Sequence, residues 1–158
     1  MKTLLLFSIL FLTTTASFCT QINVELVTKD NDNLDFLTSI EIMDSFGKRI
    51  AFDKNQSESL SIDFTNSINE KIKIKINAMG YFPVEINYHL KTSTDSISIT
   101  NMLLVPSLRR ELPKNATCGT WAPRKKDIPK KIIILINGVE RTLVPDNDDV
   151  LGITYIEK

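Results

Sequence analysis

Isoleucine and lysine alternate without a break from Lys71 to Ile76. A strand turns successive side chains to opposite faces, so this period of two puts Ile72, Ile74 and Ile76 on one side and Lys71, Lys73 and Lys75 on the other. Met79-Gly80-Tyr81-Phe82-Pro83 interrupts the pattern with turn-forming residues, and Val84, Ile86, Tyr88 and Leu90 resume it. Two one-faced strands in succession predict an antiparallel sheet packed on one side. The same alternation recurs before and after. Ile22, Val24 and Leu26 predict a strand over 21–28, Ile40 and Ile42 one over 37–44, and a short strand over 49–52 follows the turn Ser45-Phe46-Gly47-Lys48. Leu60, Ile62 and Phe64 mark the next strand. Ile97, Ile99, Leu103 and Val105 place another over 96–105, with Asn101 breaking the apolar row. About seven short strands at this spacing predict an antiparallel sandwich or barrel, and no segment carries a sustained helical period.

Residues 106–131 follow no such rule. Pro106, Pro113, Pro123 and Pro129 forbid a continuous ladder, and basic residues outnumber Glu111 and Asp127. The stretch reads as a linker, solvated or functional. Trp121, Arg124, Lys125 and Lys126 are its candidate binding surface, suited to an acidic surface or a glycan. Strand pattern returns in Ile132 to Ile136. Asn137-Gly138 is a strong hairpin signal, and Val139 to Val144 returns from it. An acidic loop, Pro145 to Asp149, leads to a last strand over 150–156. The expected organisation is a leader at 1–19, a β-sandwich at 20–105, a basic linker at 106–131 and a small β segment at 132–158.

The leader rests on Lys2, the apolar run Leu4 to Leu12 and the small, polar stretch Thr13 to Thr20. That layout is a secretory signal peptide, and the run is shorter than the ~20 residues a membrane span needs. Small residues at Thr14/Ala16 or Ser17/Cys19 allow cleavage after Ala16 or after Cys19. Cys19 is also a position for lipid attachment, although Phe18 stands where a small residue is usual. The chain carries 19 basic and 19 acidic residues, and losing Lys2 shifts that balance by one. Near-neutral charge gives no general attraction to nucleic acid. Of the two cysteines, Cys19 and Cys118, a disulfide forms only if cleavage leaves Cys19 in place; a lone thiol at Cys118 is the alternative.

Catalytic patterns fail. His89 is the sole histidine, which excludes a His-rich zinc site and leaves one possible base for a serine or cysteine nucleophile. It falls on the strand face opposite Val84 and Ile86 and reads as an exposed strand residue. Asp30, Asp32 and Asp35 lack the spacing of an EF-hand, as do Asp146, Asp148 and Asp149. No phosphate-binding glycine loop occurs. The expectation is a protein without enzymatic activity, cofactor or metal.

Three pieces carry a family resemblance: INVELVTKD followed by SIEIMDSFGKRI, the strand KIKIKINAMGY ending in Gly80-Tyr81, and SISITNMLLVP. Together residues 21–105 resemble the carboxypeptidase regulatory-like domain, whose fold is a transthyretin-like seven-stranded sandwich. DNDNLDFLT replaces the family's usual small, proline-rich entry to the second strand. IIILINGV with PDNDDVLGITYIEK resembles part of the plug of TonB-dependent outer-membrane receptors, through Asn137-Gly138, Asp148-Asp149-Val150, Ile153 and Lys158. The two modules occur in tandem in Bacteroidetes proteins, and this chain has no room for the barrel. In that lineage Asp95-Ser96-Ile97 resembles an O-glycosylation motif, with Ser96 the acceptor. Asn55-Gln56-Ser57 and Asn115-Ala116-Thr117 fit the eukaryotic N-glycosylation pattern.

These readings imply an exported binding module in the periplasm, at the outer membrane or outside the cell, with a protein or glycan of the cell envelope as partner. The alternative is an outer-membrane-associated accessory or signalling module that contacts a transporter or surface machine.

Overall fold

The structure is a computed structural model, and it describes residues 19–28, 37–65, 70–92, 95–107, 126–146 and 153–157. Among these residues there are ten strands and no helix. Seven come first: β1 (Cys19–Val27), β2 (Thr38–Met43), β3 (Arg49–Asn55), β4 (Ser59–Thr65), β5 (Lys71–Ala78), β6 (Val84–His89) and β7 (Ser96–Leu103). After the 106–131 region come β8 (Ile132–Ile136), β9 (Val139–Pro145) and β10 (Ile153–Glu157). No helix among the described residues is long and apolar enough to cross a membrane.

All ten strands join one sheet in the order β3-β2-β5-β6-β10-β9-β8-β7-β1-β4. Its two edge strands, β3 and β4, are consecutive in sequence and meet at the corner 56–58. There the Thr38 hydroxyl donates to the carbonyls of Asn55 (3.1 Å) and Ser57 (2.9 Å). The sheet therefore nearly closes on itself.

The all-β expectation stands, but the arrangement is not a seven-stranded antiparallel unit. β8 pairs with β7, with Ile97 opposite Ile136 and Ile99 opposite Ile134. β10 runs parallel to β6, with Tyr155 beside Ile86. β9 lies between β8 and β10. β1 also runs parallel to β7. The alternation of side chains indicates which face of a strand is buried. It carries no information about which strand occupies each edge, because every backbone offers the same donors and acceptors.

One core fills the interior. Ile22, Ile40, Ile74, Ile86 and Ile97 are each 0% exposed, and Ile134, Leu143 and Tyr155 from the last three strands belong to the same cluster. The Ile–Lys strand behaves as its pattern dictates: Ile72, Ile74 and Ile76 are buried, and the lysines face outward. Glu85, on the adjacent β6, meets two of them, at 2.8 Å from Lys73 and 3.5 Å from Lys75. Such surface pairs contribute about 0–1 kcal/mol each, so the isoleucines and not the lysines hold this strand.

Asn101 does more than interrupt a row. Val24 pairs with Ile99 but Leu26 pairs with Met102, so β7 carries an extra residue against β1. Asn101 sits there with φ of 55°, in the left-handed region that asparagine tolerates better than most residues. The bulge reverses the phase beyond it. Met102 and Leu104 are buried and Leu103 is only half-buried, against the expected in-phase Leu103, while Val105 is buried as expected.

Candidate functional site

The β2–β3 turn is built from its own side chain. Asp44 Oδ1 accepts from the backbone N–H groups of Phe46 and Lys48, both at 2.9 Å. The Asp44 N–H donates to the Lys48 carbonyl (2.9 Å), and the Gly47 N–H donates to the Asp44 carbonyl (3.0 Å). Gly47 adopts a φ of +78°, which L side chains rarely reach. Four hydrogen bonds across five residues fix the turn, and they leave Phe46 at its tip, 93% exposed. Turn tips favour Gly, Asn, Asp, Pro and Ser, and a phenylalanine there supplies no turn chemistry.

Beneath this tip the sheet has a step. The β2–β5 ladder ends at Met43 opposite Lys73, whereas the β5–β6 ladder continues to Lys71 opposite His89. The step coincides with a register shift of the β2–β3 pair, where Ile42 faces Ala51 but Met43 faces Arg49, so that β3 carries the extra residue Ile50. An open depression of about 660 Å³ occupies it. Met43 and Phe46 form one wall, and Lys71, Lys73, Asn87 and His89 line the rest. Nearby on β3, the Arg49 guanidinium lies 4.8 Å from the centre of the Phe52 ring and pairs with Glu41. Phe52 is 48% exposed.

Arg49 and Lys73 are thus each matched by a carboxylate. Lys48 and Lys71 are exposed and form no ion pair among the described residues. Asp44 is bound to the turn backbone through one carboxylate oxygen. The depression therefore combines an apolar wall, the Asn87 amide, the cations Lys71 and Lys73 and the carboxylate Asp44. Tyr88 also borders it but turns into the core, 4% exposed. Burial first, and then the charges of Asp95 and Glu157, push its hydroxyl up to about 12 against a smaller opposing effect of Arg141. It stays protonated at neutral pH. This arrangement can hold a ligand, and among the described residues no group of three potential metal ligands exists.

A second polar cluster lies where the β6–β7 loop meets the β8–β9 turn. Asp95 is 1% exposed. Its carboxylate accepts from the Lys91 N–H (3.1 Å), the Thr92 N–H (3.4 Å), the Thr92 hydroxyl and the Asn137 amide (2.9 Å). Burial alone would raise its pKa, but the hydrogen bonds from Thr92, Asn137 and Lys91 outweigh burial and hold it below the ordinary value. Asn137 also exchanges two bonds with Ser96: its N–H donates to the Ser96 carbonyl, and its side-chain oxygen accepts from the Ser96 N–H, both at 2.8 Å. This cluster is a structural clamp, since its donors and acceptors satisfy one another.

The residues picked out in the sequence fall elsewhere. Trp121, Arg124, Lys125 and Cys118 lie outside the described residues, as do Asp30, Asp32, Asp35, Asp148, Asp149 and Asn115. Lys126 is exposed on the approach to β8. Cys19 is exposed at the start of β1. Ser96 is exposed beside Gln21 of β1, while the preceding Asp95 is buried. Asn55 is exposed at the end of β3. His89 is exposed on the outward face of β6, and it is the residue of the sequence reading that reaches the depression. The sequence reading gave Phe46 no role. The signal that marks it is a large apolar residue inside an Asp-Ser-x-Gly turn. No protein-family model matches the chain, and no curated protein matches it.

Proposed function

We propose that this chain is an exported, non-enzymatic β module that binds a protein or glycan of the cell envelope at the depression beneath Phe46. The observation that carries the reading is Phe46 itself. The turn fixes the Phe46 backbone and presents the ring at 93% exposure, so covering it removes apolar surface from water without reordering the backbone. The polar groups around it, Asn87, Lys71 and His89, supply directional contacts. The signal-peptide pattern supports export, and the sequence pattern of 21–105 supports kinship with carboxypeptidase regulatory-like sandwiches. On this reading β8, β9 and β10 are additions that extend such a sandwich.

The test compares Phe46→Ala with Trp121→Ala/Arg124→Glu/Lys125→Glu/Lys126→Glu on a glycan array and in capture of envelope proteins. Binding lost only in Phe46→Ala supports the depression. Binding lost only in the second variant moves the site to the basic stretch and overturns this assignment. Because Phe46 contributes almost nothing to the core, its variant keeps the wild-type melting temperature, which separates a lost site from a lost fold.

A further inference from the structure

We infer that Asn137 is a deamidation site that the fold holds unreacted, and that its conversion to a carboxylate releases the β8–β9 turn from β7. Asn137-Gly138 is the one Asn-Gly pair in the chain. Glycine has no side chain to shield its N–H, and a Cβ added at Gly138 would meet nothing within 4 Å, so the Gly138 nitrogen is open to approach. In the reaction this nitrogen gives up its proton and bonds to Asn137 Cγ. The Cγ–Nδ2 bond breaks, and the amide nitrogen leaves as ammonia with that proton. Water then opens the five-membered succinimide at either carbonyl and leaves aspartate or isoaspartate. No oxidant or cofactor is consumed. Asn137 and Gly138 are both exposed, so water reaches the turn and burial gives no protection.

Hydrogen bonds give the protection instead. Asn137 Oδ1 accepts from the Ser96 N–H (2.8 Å), Nδ2 donates to Asp95 Oδ1 (2.9 Å), and the Asn137 N–H donates to the Ser96 carbonyl (2.8 Å). Both polar atoms of the side chain, and its backbone, are thus tied to the start of β7. Ring closure turns the amide away from these partners and onto the Gly138 nitrogen. That step leaves the Asp95 carboxylate, 1% exposed, short of a donor. The same carboxylate opposes the negative charge that develops on the amide as the ring forms. The reaction is therefore confined to moments when this corner opens. Its product does not reclose without taking up a proton. Aspartate at 137 replaces the Nδ2 donor with an oxygen facing Asp95 Oδ1, and two carboxylates this close cannot both stay ionised. Isoaspartate also adds a backbone carbon to a two-residue turn whose φ values, 51° at Asn137 and 78° at Gly138, suit a tight hairpin. β8 meets β7 just beyond, with Ile136 opposite Ile97, so the end of that ladder is lost with the turn.

Peptide mapping by mass spectrometry, with enzymatic methylation to mark isoaspartate, follows Asn137 in the full chain held in mildly alkaline buffer with and without guanidinium. Asn137 should react about tenfold more slowly, or slower still, in the folded chain than in the unfolded one. Asp95→Ala should accelerate the reaction in buffer, whereas Ile74→Ala, which weakens β5 and not this corner, should leave it unchanged. Equal rates with and without guanidinium, a faster rate in the folded chain, or no reaction in either overturns the assignment. Equal acceleration by Ile74→Ala places the control in global unfolding and overturns the latch. Asn137→Asp tests the release itself and does not depend on how Asp95→Ala folds. Its paired carboxyls hold a proton more tightly in the folded state than in the unfolded chain, so its stability deficit against wild type is largest above the raised folded pKa. That deficit, read from urea denaturation, should shrink as pH falls from about 7 to about 5, while the deficit of Asn137→Ala should not. A parallel course of the two variants overturns release by charge.

Discussion

A buried carboxylate clamped by four donors makes Asp95 a demanding residue. Its partner Asn137 lies 42 positions away and is reached only through folding. Asn137→Ala removes one of the two donors to Asp95 Oδ1, the other being the Thr92 hydroxyl, and takes away the acceptor of the Ser96 N–H, and should cost about 1–3 kcal/mol, read from urea denaturation. Asp95→Asn combined with Asn137→Ala should cost less than the sum of the two, because the changes share one interaction. The carboxylate also sets a pH dependence. Its folded pKa lies below the ordinary 3.8, so the folded state binds fewer protons there than the unfolded chain. The stabilisation is fully present above the ordinary value and is lost as pH falls through the lower folded value. Denaturation midpoints measured between about pH 2 and 6 should show this fall in the wild type and a shallower one in Asp95→Asn.

Among the elements, β7 depends on one backbone conformation and β5 on one row of side chains. Asn101 holds the left-handed geometry of the β7 bulge. A β-branched residue there is strained, so Asn101→Val should lose roughly 1–2 kcal/mol, whereas Asn101→Gly should sit near wild type. Equal losses in both would place the importance of Asn101 in its side chain and not in its φ. On β5, Ile74 is 0% exposed and sits between Ile42 of β2 and Ile86 of β6. Ile74→Ala should cost about 2–5 kcal/mol, and Lys75→Ala on the opposite face should stay within about 0.5–1 kcal/mol. Thermal melts of the pair compare the two faces of one strand directly.

For the whole molecule, the single core ties the C-terminal strands to the rest. Tyr155 of β10 is 2% exposed and its hydroxyl donates to the Pro129 carbonyl at 3.1 Å, so the last strand anchors the approach to β8. Burial pushes Tyr155 up to about 12, as it does Tyr88. A phenol with a raised pKa keeps its proton in the folded state at pH values where the unfolded chain releases it. Its contribution is complete below about pH 10 and is lost as pH rises through about 12. Spectrophotometric titration should therefore show Tyr88 and Tyr155 ionising late, with unfolding accompanying their release. Normal ionisation of Tyr88 and Tyr155 in a folded chain would contradict their buried positions. A sheet whose order departs this far from chain order is dominated by non-local pairs, and folding in milliseconds to seconds is expected.

The sequence alone determined the approximate position of the strands and, where the alternation is unbroken, which face is buried. Alternation at Ile72–Ile76 and Val84–Leu90 reports burial locally, the apolar run Ile132–Ile136 reports a strand but not its buried face, and Asn137-Gly138 reports its own turn. Tertiary structure decided the rest. Backbone hydrogen bonds are the same for every residue, so nothing in the pattern said that β10 would lie parallel to β6 or that β8 would take the edge of β7. The bulge at Asn101 appeared in the sequence only as a broken row, and its effect on phase required the pairing with β1. The candidate site was the least legible part. Ser45-Phe46-Gly47-Lys48 read as a turn, but the depression beneath it exists because one ladder stops at Lys73 while its neighbour continues to Lys71. A difference in ladder length between two strand pairs is a property of the assembled sheet, written in no single segment of the chain.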